Sequence, residues 1–385
     1  MSASPASRRR PVQSGTSAAA GSPDRRGAAC DDCLRRTDLI ACLAGWLDVE
    51  WRRRDAPARV LALGDQELLA AAHSKEAAAR YAAFRPGEAR AATAAAGVQA
   101  VCRCEDGYPA RLRDLCDPPA VLHVAGDGAA LERDDAVAVV GARQATQYGL
   151  SVSHDLGRGL SAAGVTVVSG LALGVDSKAH EGALESHAPV VAVLAGGAET
   201  PYPASKRHLH AAVRSRGCVV SEMPPRTGIW RWAFVARNRV IAALARVVVV
   251  VEAAERSGSL TTADLAGELG RTVAAVPGRI TNAFAAGTNG LIRDGAALVR
   301  GPADVLDLLS EESGRRYPPP VAAAGSALSG PLAALLTAIG DGRGTLSELA
   351  TGSTDARGVL AGLGELEALG LVRRGFGGRY ECVLT

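Results

Sequence analysis

Aromatic residues make up only 4% of the 385-residue chain, so any surface that stacks nucleobases must rest on a few well-placed rings. Lysine is nearly absent: Lys75, Lys178 and Lys206 stand against 40 arginines, a bias that genomic base composition accounts for by itself. No apolar run approaches the roughly 20 residues of a membrane helix. The most apolar stretch, Val247–Val251, is closed by Arg246 and Glu252. The N-terminal segment lacks the apolar stretch of a secretory signal, which sets the expectation of a cytoplasmic protein with no membrane partner. In that compartment its eight cysteines read as thiols, not disulfides. No Gly-Lys-Ser/Thr occurs, which disfavours ATP hydrolysis, and no internal repeat is present. With 48% apolar and 22% charged residues, collagenous, coiled-coil and wholly disordered classes are excluded.

Charge of one sign is also scarce. The formal net charge is +3, and residues 1–29, with five arginines against Asp24, supply more than all of it. Whole-molecule charge is therefore no argument for nucleic acid, and an anion site must come from local clustering.

Residues 1–29 read as a disordered basic tail, of low hydrophobicity and without periodicity. Residues 30–100 are rich in Ala, Leu and Arg, with Leu34, Leu39, Ile40, Leu43 and Leu47 at helical spacing, and predict a small helical region. From Val137 the texture changes. Val137–Val140, Val165–Val168, Val190–Leu194, Cys218–Val220, Val247–Val251 and Val273–Val276 are short apolar runs separated by helical segments. Nearly continuous apolar runs suit strands buried on both faces, and the alternation predicts an α/β, Rossmann-like, doubly wound, mainly parallel sheet over 101–310. Residues 311–328, with Pro318-Pro319-Pro320, read as a linker. Beyond it, Leu332–Ile339, Leu346–Ala350 (Thr345 as N-cap) and Ala356–Leu369 predict three helices. The third places Leu360, Leu363, Leu366 and Leu369 on one face. A hairpin over Leu371–Arg374 and Arg379–Val383 completes the pattern of a winged helix over 329–385.

In such a sheet ligands bind outside the strands' C-terminal ends, so the loops there carry the functional reading. The first, Gly141-Ala-Arg143-Gln-Ala-Thr146, lacks the second and third glycines of a dinucleotide fingerprint and instead aims Arg143 into the crevice. The second, Ser169-Gly170-Leu-Ala-Leu-Gly174-Val-Asp176, has two glycines that let backbone N–H groups face an anion. Asp176 is expected as helix N-cap, with His180 as a positioning residue one turn later. After Ala195-Gly196-Gly197, Tyr202 is a candidate base-stacking ring and Lys206 a candidate phosphate partner. Arg237, Asn238 and Arg239 open an apolar helix, and Ser257-Gly258-Ser259-Leu-Thr261-Thr262 opens another with a dense patch of donors.

At these residues the sequence resembles the DprA/Smf family, the DNA-processing protein A of bacterial natural transformation. The matches run in order from Tyr108-Pro109 and Asp117-Pro118-Pro119 through Val140-Gly141-Ala142-Arg143 and Tyr148-Gly149 to Ser169–Asp176 and Ala179-His180. Tyr202-Pro203, Ser221-Glu222, Phe234, Arg237-Asn238-Arg239, Ser257-Gly258-Ser259 with Thr261, Val276-Pro277-Gly278 and Gly295-Ala296 follow. The resemblance implies a Rossmann-like domain that binds single-stranded DNA, forms a homodimer and loads the RecA recombinase, without catalysis or cofactor. Carried over, its DNA pocket uses Gly141, Arg143, Ser169, Gly170, Gly174, Lys206, Arg237, Asn238, Arg239, Ser257, Gly258, Ser259 and Thr261. Two departures stand out: Ala142 replaces a common Ser, and no clear helix-hairpin-helix motif precedes Cys102.

Other readings compete. Nucleoside-monophosphate phosphoribohydrolases of related fold place a catalytic Glu just after a Gly-rich turn; here the place holds Ala263-Asp264-Leu265, and the glutamate is missing. Cys30-x-x-Cys33 and Cys102-x-Cys104 together offer four thiolates to zinc, but 68 intervening residues exceed ordinary finger spacing, so the sequence favours ordinary thiols over a metal. The recognition helix expected over Asp355–Leu369 carries Arg357 against Asp355, Glu365 and Glu367, which is poor for phosphate contact, while Arg373, Arg374 and Arg379 sit on the wing.

Overall fold

The computed structural model describes residues 29–54, 60–317, 330–350, 356–368, 371–375 and 378–382. The expected tail and most of the expected linker therefore lie outside the described residues, although Ala29 itself is buried. The segment expected as linker begins inside structure: the helix Pro302–Ser313 runs into it, and Tyr317 packs against the core.

All six apolar runs form strands of one nine-stranded sheet, in the order β1 (Gln99–Cys102), β2 (Val121–Gly126), β6, β5, β4, β3, β7, β8 and β9 (Ala297–Leu298). They are β3 Ala136–Val140, β4 Thr166–Ser169, β5 Val190–Val193, β6 Cys218–Ser221, β7 Val247–Val250 and β8 Thr272–Ala275. All pairings among these six are parallel. The apolar runs have no polar alternation because both faces are covered. Val137 and Val139 of β3 enter one core cluster; Ala136, Ala138 and Val140 enter the other. Val247 and Val249 against Val248 and Val250 divide the same way on β7. Each valine removed from water contributes about 1.5 kcal/mol or more, which makes this the main stabilising term of the domain.

Three strands escaped the sequence reading. β1 (Gln99–Cys102) and β2 (Val121–Gly126) form an antiparallel extension, with His123 of β2 opposite Ser221 of β6. β9 is only Ala297–Leu298, the opposite edge. The 30–100 region is helical as expected up to that edge, with described helices Asp31–Cys42, Ala44–Arg54, Asp65–Ala72, Lys75–Ala82 and Pro86–Ala95. Its own cluster, Leu39, Leu43, Leu47 and Leu68, packs on Met223 and Trp232 of the main domain.

Strand order falls from β6 to β3 and then reverses to β7. That reversal is the topological switch point, where the loops leaving β3 and its neighbours diverge and open a crevice.

The C-terminal segment contains helices Gly330–Gly340, Leu346–Leu349 and Ala356–Ala368 and an antiparallel pair, β10 Val372–Arg374 with β11 Tyr380–Cys382. Thr345 caps as expected, and Glu348 returns a bond to the Thr345 N–H, closing a capping box. On the third helix the buried face is Val359, Leu363 and Leu366, at spacings of four and three; Leu360, expected on that face, is exposed. Asp355 and Leu369 lie outside the described residues.

Candidate nucleic-acid interface

Three loops and one helix meet at the switch point. The β3 loop supplies Gly141 and Arg143, and the β4 loop supplies Gly170 and Ala172. The β7 loop ends at the helix Gly258–Glu268, whose first turn contributes Ser257, Gly258, Ser259 and Thr262. The helix Arg231–Leu244 presents Phe234, Arg237, Asn238 and Ile241, one face at spacings of three, one and three. They line a crevice of about 240 Å³. A smaller one of about 90 Å³ adjoins it, shares Arg143, Phe234 and Arg237, and adds Tyr202 and Pro203.

Arg237 is the centre of this arrangement. Its side chain is buried, Nη1 donates to the Val193 carbonyl at 3.2 Å, Nη2 lies 3.9 Å from Asp176 Oδ2, and Nε has no partner. Burial lowers its pKa, opposed by Asp176, but an arginine remains charged in any protein. A desolvated cation that lines an open crevice favours an anion beside it. Arg143 is its exposed counterpart, with its guanidinium 4.9 Å from the centre of the Phe234 ring. The Phe234 ring in turn lies 5.6 Å from Tyr202, tilted by 49°. The column ends in solvent, because Tyr202 is 44% exposed.

The serine turn has anion-site geometry. Ser257 caps the helix Gly258–Glu268, accepting from the Ser259 N–H at 3.4 Å, and the two hydroxyl oxygens lie 2.7 Å apart. The helix N-terminus adds a partial positive charge and outward N–H groups. Asn238 reaches across, donating from Nδ2 to the Gly258 carbonyl at 3.2 Å, and fixes this turn against the Arg237 helix.

Two glycines are required by the close approach of the loops. At Gly174 φ is +78°, and a Cβ there would strike the backbone carbonyls of Ala142 and Arg143. At Gly170 a Cβ would fall within the Arg237 guanidinium. Leu171, between them, is buried at φ +56°, a backbone strain of the kind that clusters at binding sites.

Several expected site residues stand elsewhere. Arg239 points off the opposite side of its helix into a buried ion-pair network: Nε to Asp117 at 2.8 Å, and Nη1 and Nη2 to the two Glu222 oxygens at 3.1 and 2.7 Å. It does not line the crevice. Lys206 pairs with Glu181 at 3.1 Å and does not line it either. Ser169 is fully buried, its hydroxyl bonded to the Val139 carbonyl at 2.6 Å, so it ties β4 to β3. At the serine turn Thr262 lines the crevice, not Thr261.

Asp176 is not the helix N-cap; Gly174 holds that position, and Asp176 lies in the first turn of Val175–Ala183. Its carboxylate turns back to accept from the Ala172 N–H at 3.4 Å. Burial raises its pKa, opposed chiefly by Arg237. It shapes the β4 loop and neutralises the inner arginine. His180 is also structural: it is fully buried, with Nε2 3.2 Å from the Val191 carbonyl.

The sequence reading passed over Glu252 as a site residue. Its carboxylate accepts from the Thr146 N–H at 2.7 Å and from the Thr146 hydroxyl at 2.6 Å. Its carbonyl takes the Ala142 N–H at 2.7 Å, so one buried acid pins the whole Arg143 loop. The only signal was an acid at the end of a valine strand.

Burial holds the pKa of His180 and of His123 near 4, below the usual 6.5. Both are neutral when folded and protonate only on unfolding in the window between those values. Stability therefore falls as pH drops from about 6.5 towards 4, by up to about 3 kcal/mol per histidine. Urea melts between pH 7 and 4.5 should show this fall, and His180→Asn should show a shallower one. An equal slope in the variant removes His180 from the account.

A larger crevice, about 590 Å³, lies between the N-terminal helices and the 224–230 loop. Its Arg80 is held by Asp38 at 2.9 and 2.5 Å. Among the lining residues at the switch point the one carboxylate is Asp176, and it is sequestered. Asp264, at the place of the hydrolases' glutamate, is exposed and outside the lining. The lining offers cationic, hydroxyl and aromatic groups, and no acid–base pair is among it.

Residues 99–310 match the family model described as DNA recombination-mediator protein A. A Mycobacterium tuberculosis protein that bears the DprA name is 42% identical over 271 residues, 69% of each chain. The crystal structure of DNA processing protein A from Streptococcus pneumoniae superposes with a TM-score of 0.58 at 30% identity, covering 72% of this chain and 95% of that one. A structure of DNA processing protein A from Helicobacter pylori, whose subject is its single-stranded DNA binding mode, gives 0.51 at 28% identity, covering 56% and 98%. With more than half of its length under the family model and a sheet that matches family structures, the chain belongs to the DprA/Smf family of DNA-processing proteins acting in recombination.

Proposed function

We propose that this protein binds single-stranded DNA across the switch-point crevice and passes it to a recombinase. The observation that carries the reading is the buried, incompletely bonded Arg237 beside a helix N-terminus and the exposed Arg143. A phosphate seats between Arg143, Arg237 and the Ser257–Ser259 turn, and a neighbouring base lies on the exposed Tyr202 ring. The grip rests on phosphate and ring contacts, which tolerate any sequence. The family resemblance supports the remaining parts: a homodimer, and RecA as the receiving recombinase in natural transformation.

We read the C-terminal unit as a winged helix that contacts protein more readily than duplex DNA. Two of its three wing arginines are already paired, Arg373 with Glu381 at 3.3 Å and Arg379 with Glu348 at 3.4 Å.

Fluorescence anisotropy with a labelled oligothymidylate and its duplex counterpart, over a salt series, tests the reading. Binding should prefer the single strand and weaken with salt, with a log–log slope of about −0.7 per phosphate held. Arg143→Ala should flatten that slope by about one phosphate and weaken all sequences alike. Undiminished affinity removes Arg143 from the path, and no binding at low salt discards the DNA reading.

A further inference from the structure

The geometry points to a structural zinc site of four cysteines, Cys30, Cys33, Cys102 and Cys104, that clamps the N-terminal helical region to the sheet edge. Their sulfurs all lie within 4.8 Å of one another. One zinc ion with four bonds of about 2.3 Å sets its sulfurs about 3.8 Å apart. Cys33 and Cys104 are at 3.7 Å, far beyond a disulfide bond, and all eight cysteines are free. A multi-iron cluster spreads its ligands more widely than one ion does, so the packing fits a single metal.

The two ligand pairs come from segments that sequence spacing keeps apart and the fold brings together. Cys30 caps the helix Asp31–Cys42 and Cys33 sits in its first turn. Cys102 ends β1, the edge strand, and Cys104 lies in the turn that follows. The site thus closes a long loop between the helical region and the sheet, beside a small apolar cluster of Ala29, Leu34, Ala100, Ala120 and Val121 with Phe84 and Ala89 against it.

Backbone donors lie around the sulfurs. The Cys30 N–H donates to Cys102 Sγ at 3.4 Å, and the Cys33 and Cys104 N–H groups point at the sulfurs of Cys30 and Cys102. Both ligand segments are held by arginines bonded to their backbone. Arg90 donates to the Ala29 carbonyl at 2.8 Å, and Arg113 to the Arg103 and Glu105 carbonyls at 2.5 and 2.7 Å. These bonds fix the backbone on both sides of the cluster, and Arg90 pairs as well with Asp31 at 2.6 Å. Ordinary core thiols need neither mutual contact nor such a scaffold.

The test is metal analysis of the full-length protein, expressed with zinc in the medium and purified without chelator. Elemental mass spectrometry should find about one zinc per chain. Exchange with cobalt(II) should give the strong visible bands of a tetrahedral thiolate site. Cys116→Ser, a neighbouring cysteine outside the cluster, should keep its zinc, whereas Cys33→Ser with Cys104→Ser should lose it. Substoichiometric metal with four free thiols, a disulfide by intact mass, or iron with acid-labile sulfide would each overturn the proposal. So would a folded double variant that retains its zinc. Metal content and the cobalt spectrum of the wild type decide the matter even if the double variant does not fold.

Discussion

Arg239→Met should destabilise the protein by about 3–5 kcal/mol without touching the switch-point crevice. Arg239 is buried with two acids, Asp117 on the approach to β2 and Glu222 just past β6. Its guanidinium also donates to the Asp117 and Ala236 carbonyls, at 3.1 and 2.9 Å. Removing it leaves two carboxylates desolvated and unpaired, which costs far more than the pair contributes against an apolar substitute. Burial already raises the pKa of Asp117, and Arg239 is the main force opposing the rise. Without it the folded state holds a proton that the unfolded state releases, so stability of the variant falls as pH rises and recovers as pH drops. Urea melts at pH 7 and pH 5 should show a smaller deficit at the lower value. Adding Asp117→Leu and Glu222→Leu should return much of the loss. A deficit below about 1 kcal/mol in the single variant would mean that water reaches the acids and the network does not hold the edge. Salt dependence of DNA binding, compared at a temperature where the variant is folded, should not change.

The same residue shows how far the sequence was legible. Arg237, Asn238 and Arg239 look alike as a basic cluster, yet a helix turns about 100° per residue. Phe234, Arg237, Asn238 and Ile241 share one face, and Arg239 must leave it. The helical period was enough to separate them; a composition reading was not. Parallel strands were readable because burial on both faces makes them continuous runs of valine. β1 and β2 were not, since Gln99–Cys102 is a four-residue edge strand and β2 carries His123, a polar residue whose burial only the fold reveals. Lys206 failed for another reason: its partner Glu181 lies 25 residues away on a different helix, and no local pattern announces it. Glycines were legible as loop-formers, but their particular necessity was not, because the atoms they make room for come from other segments.

Gly170→Ala is where that necessity should have its largest functional effect. A methyl group at Gly170 falls within the Arg237 guanidinium, which is buried and bonded to the Val193 carbonyl. The guanidinium has to leave, and Asp176 then loses the cation that opposes its burial. Affinity for single-stranded DNA should fall by tenfold or more, about 1.4 kcal/mol at the least, in line with loss of one charge-assisted bond. The salt slope should shrink by about one phosphate, as when a cation is deleted. The decisive comparison is a double-mutant cycle with Arg237→Ala. If the glycine acts by seating that arginine, the pair should weaken binding little more than Arg237→Ala alone. Additive losses would show that Gly170 works independently, through the backbone N–H groups of its own loop. Gly174→Ala supplies the contrast: its Cβ meets backbone carbonyls that cannot swing away, at a φ that L-residues avoid. It should therefore lower stability through the backbone itself, whereas Gly170→Ala should lower it only through the carboxylate that the displaced arginine leaves unpaired at Asp176.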